Sequence, residues 1–440
     1  MSSNIRSLLY HGHSQKSVHT ELDQYDIVIT TYNVVASEWR TSKQGGRSLR
    51  LNLLSSKWHR VILDEAHMIR SPGTQNAKAV RALDAMHRWC ITGTPLQNRT
   101  RDIFSLLQFL RVYPYDNPRS FDRDITHPCK VQVEEKGLKM LRKLMQMITL
   151  HRGRKVIDLP SLQENVEEVG MTAIELAVYE EARDGTYRYL DHALHSEGSA
   201  DSSSYINAFR RVNQMRYICN HGVNRRQIRL NSSPPPGAVE DSSTNIDELD
   251  HILDNLDEAC LNCGTDITDD QESFEKPEIL ANMGDNQQRF VMFSFWTSTL
   301  DMMQQALDSS GISSCRYQGT MKYATRTESL RRFCTERTIK VILVSISCGG
   351  QGLNLTVANH CILIEPQWNP MVEEQAVARV YRLGQEKAVS VTRFVVKGTI
   401  ERKVLERQTR KKVLADLVLG KEKIKEGDDG KKQLAVSFRN

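Results

Sequence analysis

Val61-Ile62-Leu63-Asp64-Glu65-Ala66-His67 is the stretch on which the reading of this chain turns. Three apolar β-formers run straight into two adjacent carboxylates, the pattern of a buried parallel strand whose C-terminal tip opens onto a site. At such a tip one carboxylate can hold a hydrated Mg²⁺ while its neighbour polarises an attacking water, the division of labour that nucleotide hydrolysis needs. Asp64 is the candidate metal ligand and Glu65 the candidate base. Standing alone, the same pair suits a solvated acidic turn equally well, so the surrounding pattern has to decide.

Around the tip, short apolar runs alternate with helical stretches. Asp26 to Thr31, Val61 to Leu63 and Trp89 to Thr92 each end in polar residues, as parallel strands do at a functional edge. Thr100 is a plausible N-cap, after which Ile103, Leu106, Leu107 and Leu110 share one helical face. The middle is expected to be helical, over Lys139 to Ile148, Thr172 to Leu194 and Tyr205 to Ile218, with no strands between. Residues 231–245 are too polar and Pro-rich to pack and are expected to be a disordered loop, followed by an acidic helix from Ile246 to Glu258. From Arg289 the alternation returns, with strands at Phe290 to Phe293, Val341 to Ser345, Cys361 to Ile364 and Val389 to Val396. Helices are expected at Thr297 to Leu307, Thr325 to Phe333 and Met371 to Tyr381. Two α/β lobes in series follow, at 1–124 and 286–415, with a mainly helical insertion at 125–285 and a charged tail at 416–440.

Composition bounds the answer without deciding it. At 440 residues, 39% hydrophobic and 26% charged, the chain has room for two or three ordinary globular domains. A net charge of +5 over this length leans only mildly towards polyanionic partners. Nine cysteines, an odd number scattered through a chain with no leader-like start, fit a reducing compartment better than a disulfide framework. No apolar run reaches membrane-spanning length, so no membrane partner is expected.

Three further stretches carry candidate chemistry. Ile91 to Asn98 packs small hydroxyl and glycine residues after a strand, and Thr92, Gly93 and Thr94 can bring backbone and hydroxyls close to the acidic tip. Ser345 to Thr356 puts Gly349, Gly350 and Gly352 into a strand-to-helix passage, where amides can approach phosphate. In Gln375 to Gln385, the residues Gln375, Arg379 and Arg382 stand at i, i+4 and i+7. A helix would put all three on one face, letting two guanidiniums reach a phosphate. Each stretch alone also reads as an ordinary turn or a solvated arginine face.

Taken together, the ordered set resembles the helicase-type motifs of Swi/Snf-family DNA translocases. It comprises Asp64-Glu65-Ala66-His67 (a DEAH box), Thr92 to Asn98, Gly349 to Leu355 and Gln375 to Gln385. Tyr317-Gln318-Gly319-Thr320-Met321, Trp368-Asn369-Pro370 and Thr399-Ile400-Glu401 stand between or after them in matching order. Arg216-Tyr217-Ile218-Cys219-Asn220-His221 resembles the stretch ahead of the linker in members with an inserted RING finger. The resemblance implies two RecA-like lobes with ATP and Mg²⁺ in the cleft. Asp64 would bind the metal through water, Glu65 would activate water, Arg379 and Arg382 would be arginine fingers, and His67, Gly350, Gly352 and Gln375 would face nucleotide. Thr92, Gly93, Thr94, Gly319, Thr320, Ser345 and Asn354 would couple hydrolysis to sequence-blind contacts with the phosphates of double-stranded DNA. It further implies a nuclear protein of chromatin remodelling or DNA repair, acting on nucleosomes or other DNA-bound proteins.

The chain departs from that pattern in three places. It contains no Gly-x-x-x-x-Gly-Lys-Ser/Thr, so the first lobe is expected to be incomplete, with nucleotide affinity and turnover reduced in the chain alone. The alternative is then a non-catalytic DNA- or partner-binding remnant. Cys260 and Cys263 form a single Cys-x-x-Cys without a second pair, so zinc is not expected. The run Thr149 to Lys155 is looser than the arginine-lysine run usual between the lobes.

Overall fold

The computed structural model describes residues 5–11, 22–43, 53–93, 100–127, 134–150, 158–195, 202–222, 288–348 and 352–419. The 231–245 loop, the acidic helix after it, Cys260 and Cys263 lie outside them. The chain forms two compact units, residues 1–150 with 413–439 and residues 151–412 with 440.

In the first unit, β1 (Ser7–Leu9) pairs in parallel with β2 (Ile27–Ile29), and β3 (Lys57–Leu63) with β4 (Asp84–Cys90). Its longer helices are α1 (Tyr32–Lys43), α2 (Gln75–Ala82), α3 (Thr100–Leu110) and α4 (Glu134–Ile148). Val35, Leu53, Leu63, Ala66, Ile69, Val80 and Phe109 form one core cluster beneath the strands. The other side is exposed: Ile62 and Trp89, partners across the β3–β4 register, are 54% and 53% exposed, and Leu9 and Ile29 repeat the arrangement on β1–β2.

The second unit is built on a six-stranded parallel sheet in the order β5-β10-β9-β6-β8-β7. Its strands are β5 (Leu162–Val169), β6 (Phe290–Ser294), β7 (Ser314–Tyr317), β8 (Val341–Ser345), β9 (His360–Leu363) and β10 (Val389–Val396). Both faces of the central strands are covered. Val291, Phe293, Ile342, Val344 and Leu363 enter one core cluster, while Phe290, Met292, Val341, Leu343 and Ile362 enter another. That two-sided burial is why these strands read as continuous apolar runs. The flanking helices are α5 (Ala173–His195), α6 (Ser202–His221), α7 (Thr297–Ser309), α8 (Tyr323–Thr335), α9 (Pro370–Val380) and α10 (Ile400–Leu419), the last belonging to this unit as far as Lys412. Tyr179 and Val212 of the α5–α6 pair pack with Val396 and Ile400 in a third cluster.

Two expectations need correction. The stretch between α4 and α5, read as free of strands, contains β5, which pairs with β10 along its whole length from Leu162↔Val389 to Val169↔Val396. As an edge strand of mostly exposed polar residues it lacks the apolar run that betrays a buried strand. β5, α5 and α6 fall within the second compact unit, residues 151–412 with 440. The second correction concerns the helix expected over Met371 to Tyr381. It ends at Val380, where Tyr381 (φ −95°, ψ 83°) leaves helical geometry after a last bond from its amide to Val377 O. Arg382 therefore lies beyond the helix and does not share its face with Gln375 and Arg379.

Candidate functional site

Backbone hydrogen bonds shape the acidic tip. Ile91 N donates to Leu63 O at 2.8 Å and Ala66 N donates to Ile91 O at 2.9 Å, stitching the turn after β3 to the end of β4. The chain must leave the strand between those two bonds, and Glu65 does so in the left-handed region, at φ 47° and ψ 51°. For a residue with a Cβ this costs on the order of 1–2 kcal/mol, the kind of strain found where a side chain has to be aimed. Tyr32 Oη donates to Asp64 O at 2.7 Å and fixes the same turn from α1.

The side chains follow from that frame. Asp64 is exposed, and its Oδ1 accepts from Glu65 N at 3.0 Å. Glu65 Oε2 lies 3.3 Å from His67 Nδ1. Burial lowers the pKa of His67 from its ordinary value, the Glu65 charge opposing, so the imidazole is neutral at pH 7. Mg²⁺ is usually held by one or two carboxylates, keeps several waters and takes the rest of its shell from phosphates. An exposed carboxylate with one oxygen on a backbone amide fits that demand. Thr92 and Gly93 follow Ile91 directly and so stand beside the tip, whereas Thr94 lies outside the described residues.

In the second unit every strand is parallel, so the C-terminal ends share one edge. Ser345 closes β8, its Oγ 2.9 Å from Ser347 Oγ. Gly319 and Thr320 follow β7. A methyl group at Gly319 would come within 3.5 Å of Cys348 Sγ, and Thr320 Oγ1 accepts from Gln318 Nε2 at 3.0 Å. Gly352 takes φ +54°, a conformation open to a residue without Cβ, while Gly350 lies outside the described residues. Asn354 Oδ1 accepts from Thr356 N at 3.3 Å. This loop is tied to the arginine segment: Leu355 N donates to Arg379 O at 2.9 Å and Arg382 Nη1 donates to Leu353 O at 3.2 Å. The structure thus joins Gly352, Asn354, Arg379 and Arg382, with Gln375 half-buried one turn earlier on α9.

Sequence reasoning missed what stands at the reversal of strand order. From β6 the chain goes to β7 and β8 on one side, then to β9 and β10 on the other. Glu365, just past β9 and 1% exposed, accepts there from Phe295 N at 2.5 Å, Ser294 Oγ at 3.0 Å and Gln367 Nε2 at 3.0 Å. Burial raises its pKa to about 7, against the backbone bond from Phe295 and the charge of Arg216. Arg216, 2% exposed, donates from Nη2 to Pro366 O at 2.6 Å. The available signal was a carboxylate placed straight after the apolar run Cys361 to Ile364.

Among the described residues no helix is long and apolar enough to cross a membrane, and no group of three or more His, Cys, Asp or Glu side chains could hold a metal ion by itself.

Comparison with known proteins agrees with this picture. Residues 1–223 match the SNF2-related domain and residues 275–384 the helicase conserved C-terminal domain. The helicase-like transcription factor of Homo sapiens is 28% identical over 96% of this chain and 48% of its own length. The DNA repair protein RAD5A of Arabidopsis thaliana is 27% identical over 92% of this chain and 47% of its own. The chain spans about half the length of these curated relatives. Among solved structures, a Sulfolobus solfataricus SWI2/SNF2 ATPase core in complex with dsDNA aligns over 99% of this chain and 81% of that one, with 20% identity and a TM-score of 0.40. With the SNF2-related match alone covering residues 1–223 of 440, the chain belongs to the Swi/Snf family of SNF2-related, helicase-like proteins.

Proposed function

We propose that the protein is the motor part of an ATP-dependent DNA translocase, hydrolysing ATP on double-stranded DNA to move along it and remodel what is bound there. The observation that carries this reading is the acidic tip, where strained Glu65 is locked beside Asp64 and His67 by the paired bonds through Ile91. Mg²⁺ held through water at Asp64 would neutralise phosphate charge when bound with ATP. Glu65 takes the proton of the attacking water, with His67 Nδ1 3.3 Å from its Oε2. Thr92, Gly93 and Thr94 pass the state of the tip to the DNA. Arg379 and Arg382 present charge to the γ-phosphate, and Gln375, Gly350 and Gly352 contact nucleotide. Gly319, Thr320, Ser345 and Asn354 take up phosphates of one strand, so binding is sequence-nonspecific and weakens with salt. The setting is nuclear, with nucleosomes or other DNA-bound proteins as targets in repair or chromatin remodelling.

A second reading is a binding module that holds duplex DNA or a partner without turnover. It is favoured by the second unit, whose sheet is buried on both faces independently of the acidic tip. One assay separates the two: ATPase turnover of the chain with and without duplex DNA, repeated for Glu65→Gln and Arg379→Ala. DNA-stimulated turnover that falls at least about a hundredfold in both variants supports the translocase. Duplex binding with no turnover supports the module, and turnover indifferent to Glu65→Gln overturns the mechanism.

A further inference from the structure

Helices α5 and α6 carry a feature that the motor chemistry does not use. Asn207, Arg210, Arg211 and Gln214 of α6 stand at i, i+3, i+4 and i+7, and together with Tyr189 of α5 they line an open depression with a volume of about 230 Å³. The apolar stripe of α6 runs through Ala208, Val212, Met215 and Cys219, so this spacing lies beside the seam and not on it. Two guanidiniums, two carboxamides and a phenol line the depression, every one a hydrogen-bond donor, and among the described residues no carboxylate does. The whole of α6 contains three arginines and neither Asp nor Glu.

The two arginines are held differently. The guanidinium of Arg211 lies over the Tyr189 ring, 4.8 Å from its centroid, and Nη1 donates to Gly185 O at 3.5 Å, which keeps it against the wall. Arg210 is exposed and forms no ion pair among the described residues. A fixed and a free guanidinium side by side, flanked by amide donors, match the several oxygens of one phosphate group: the fork geometry favours bidentate contact, and the open mouth admits a continuous chain. We propose that this depression is a phosphate-binding site for the backbone of duplex DNA, adding a contact on the helical pair to those on the motor loops. The inference rests on the DNA reading above and deepens it.

The test is the salt dependence of duplex binding by the whole chain, comparing wild type with Arg210→Gln and Arg331→Gln. Arg331 is another exposed arginine, on α8, paired with Glu328 at 2.6 Å, so it controls for net charge. Arg210 is exposed, so its replacement is expected to leave the fold intact. Losing one phosphate contact lowers the slope of log K against log[salt] by about 1, and the expected result is that loss in Arg210→Gln alone, with affinity at low salt weakened about fivefold. Equal slopes in wild type and Arg210→Gln, or equal losses in both variants, overturn the site while leaving the DNA reading standing. A chain that binds no duplex at all overturns both.

Discussion

Arg393 and Glu373 face each other inside the second unit, Nε to Oε2 at 3.0 Å, with side chains 8% and 1% exposed. The same guanidinium reaches Glu164 of β5 at 3.0 Å, and the other oxygen of Glu373 accepts from Gln367 N at 2.8 Å. One arginine therefore pins the edge strand β5, the strand β10 and the start of α9. Removing one partner of a buried pair strands the other charge, at a cost of about 3–5 kcal/mol. Arg393→Ala is expected to lower unfolding stability by that amount in urea titration, and Arg393→Met with Glu373→Leu to recover much of it.

The left-handed turn at Glu65 makes a distinct prediction. If the conformation is imposed by the bonds through Ile91, then Glu65→Gly is expected to be more stable than Glu65→Ala by about 1 kcal/mol, because glycine enters that region without penalty. Both variants are expected to lack turnover. Denaturant midpoints of the two proteins check the ordering, and an alanine variant as stable as glycine would contradict it.

The exposed apolar pairs of the first unit predict association. Ile62 with Trp89 and Leu9 with Ile29 present exposed sheet surface of the kind that binds hydrophobic dyes and drives aggregation. Ile62→Thr with Trp89→Thr is expected to reduce dye binding and light scattering while changing stability by less than about 0.5 kcal/mol, since exposed residues contribute little to folding.

Glu365 and His221 pull stability in opposite directions with pH. The folded pKa of Glu365 is raised to about 7 by burial, so its contribution is full below the ordinary carboxylate range and is lost as pH rises towards 7. The folded pKa of His221, stacked on Tyr217 and 2.7 Å from Ser298 Oγ, is lowered to about 4 by burial. Its contribution is present above 6.5 and is lost as pH falls towards 4. Glu365→Gln is expected to gain stability relative to wild type between pH 5 and pH 8, and His221→Gln to gain relative to wild type as pH drops from 7 to 5. Thermal unfolding across that range reads both.

Much of the second unit was visible in the sequence because burial on both faces writes itself as unbroken apolar runs: Val341 to Ser345 and Val389 to Val396 are observed at the expected bounds. The acidic tip was visible as an apolar run broken by carboxylates, although β3 is buried on one side only, with Ile62 exposed. β5 was not, because an edge strand with the pattern Leu-Gln-Glu-Asn-Val-Glu-Glu-Val needs a neighbour from far along the chain before it looks like a strand. β7 was missed as well, being four residues long and half-polar. Arg382 was put on a helix because the i, i+4, i+7 spacing cannot show where Tyr381 turns away. Strain at Glu65 and the buried partners of Glu365 are properties of three-dimensional packing that no local pattern carries.

The pairing of β5 with β10 also governs when the second unit can form. Glu164 and Arg393 are 229 residues apart in the chain, yet they meet side by side in the sheet. A nascent chain leaving the ribosome has an unpaired polar strand at β5 until almost the entire unit has been synthesised, so its first strand is among the last to be docked. Closing so long a loop delays the reward of its contacts. The unit should therefore be assembled after synthesis as one cooperative event, with α5 and α6 waiting on Val396 and Ile400 for their packing surface.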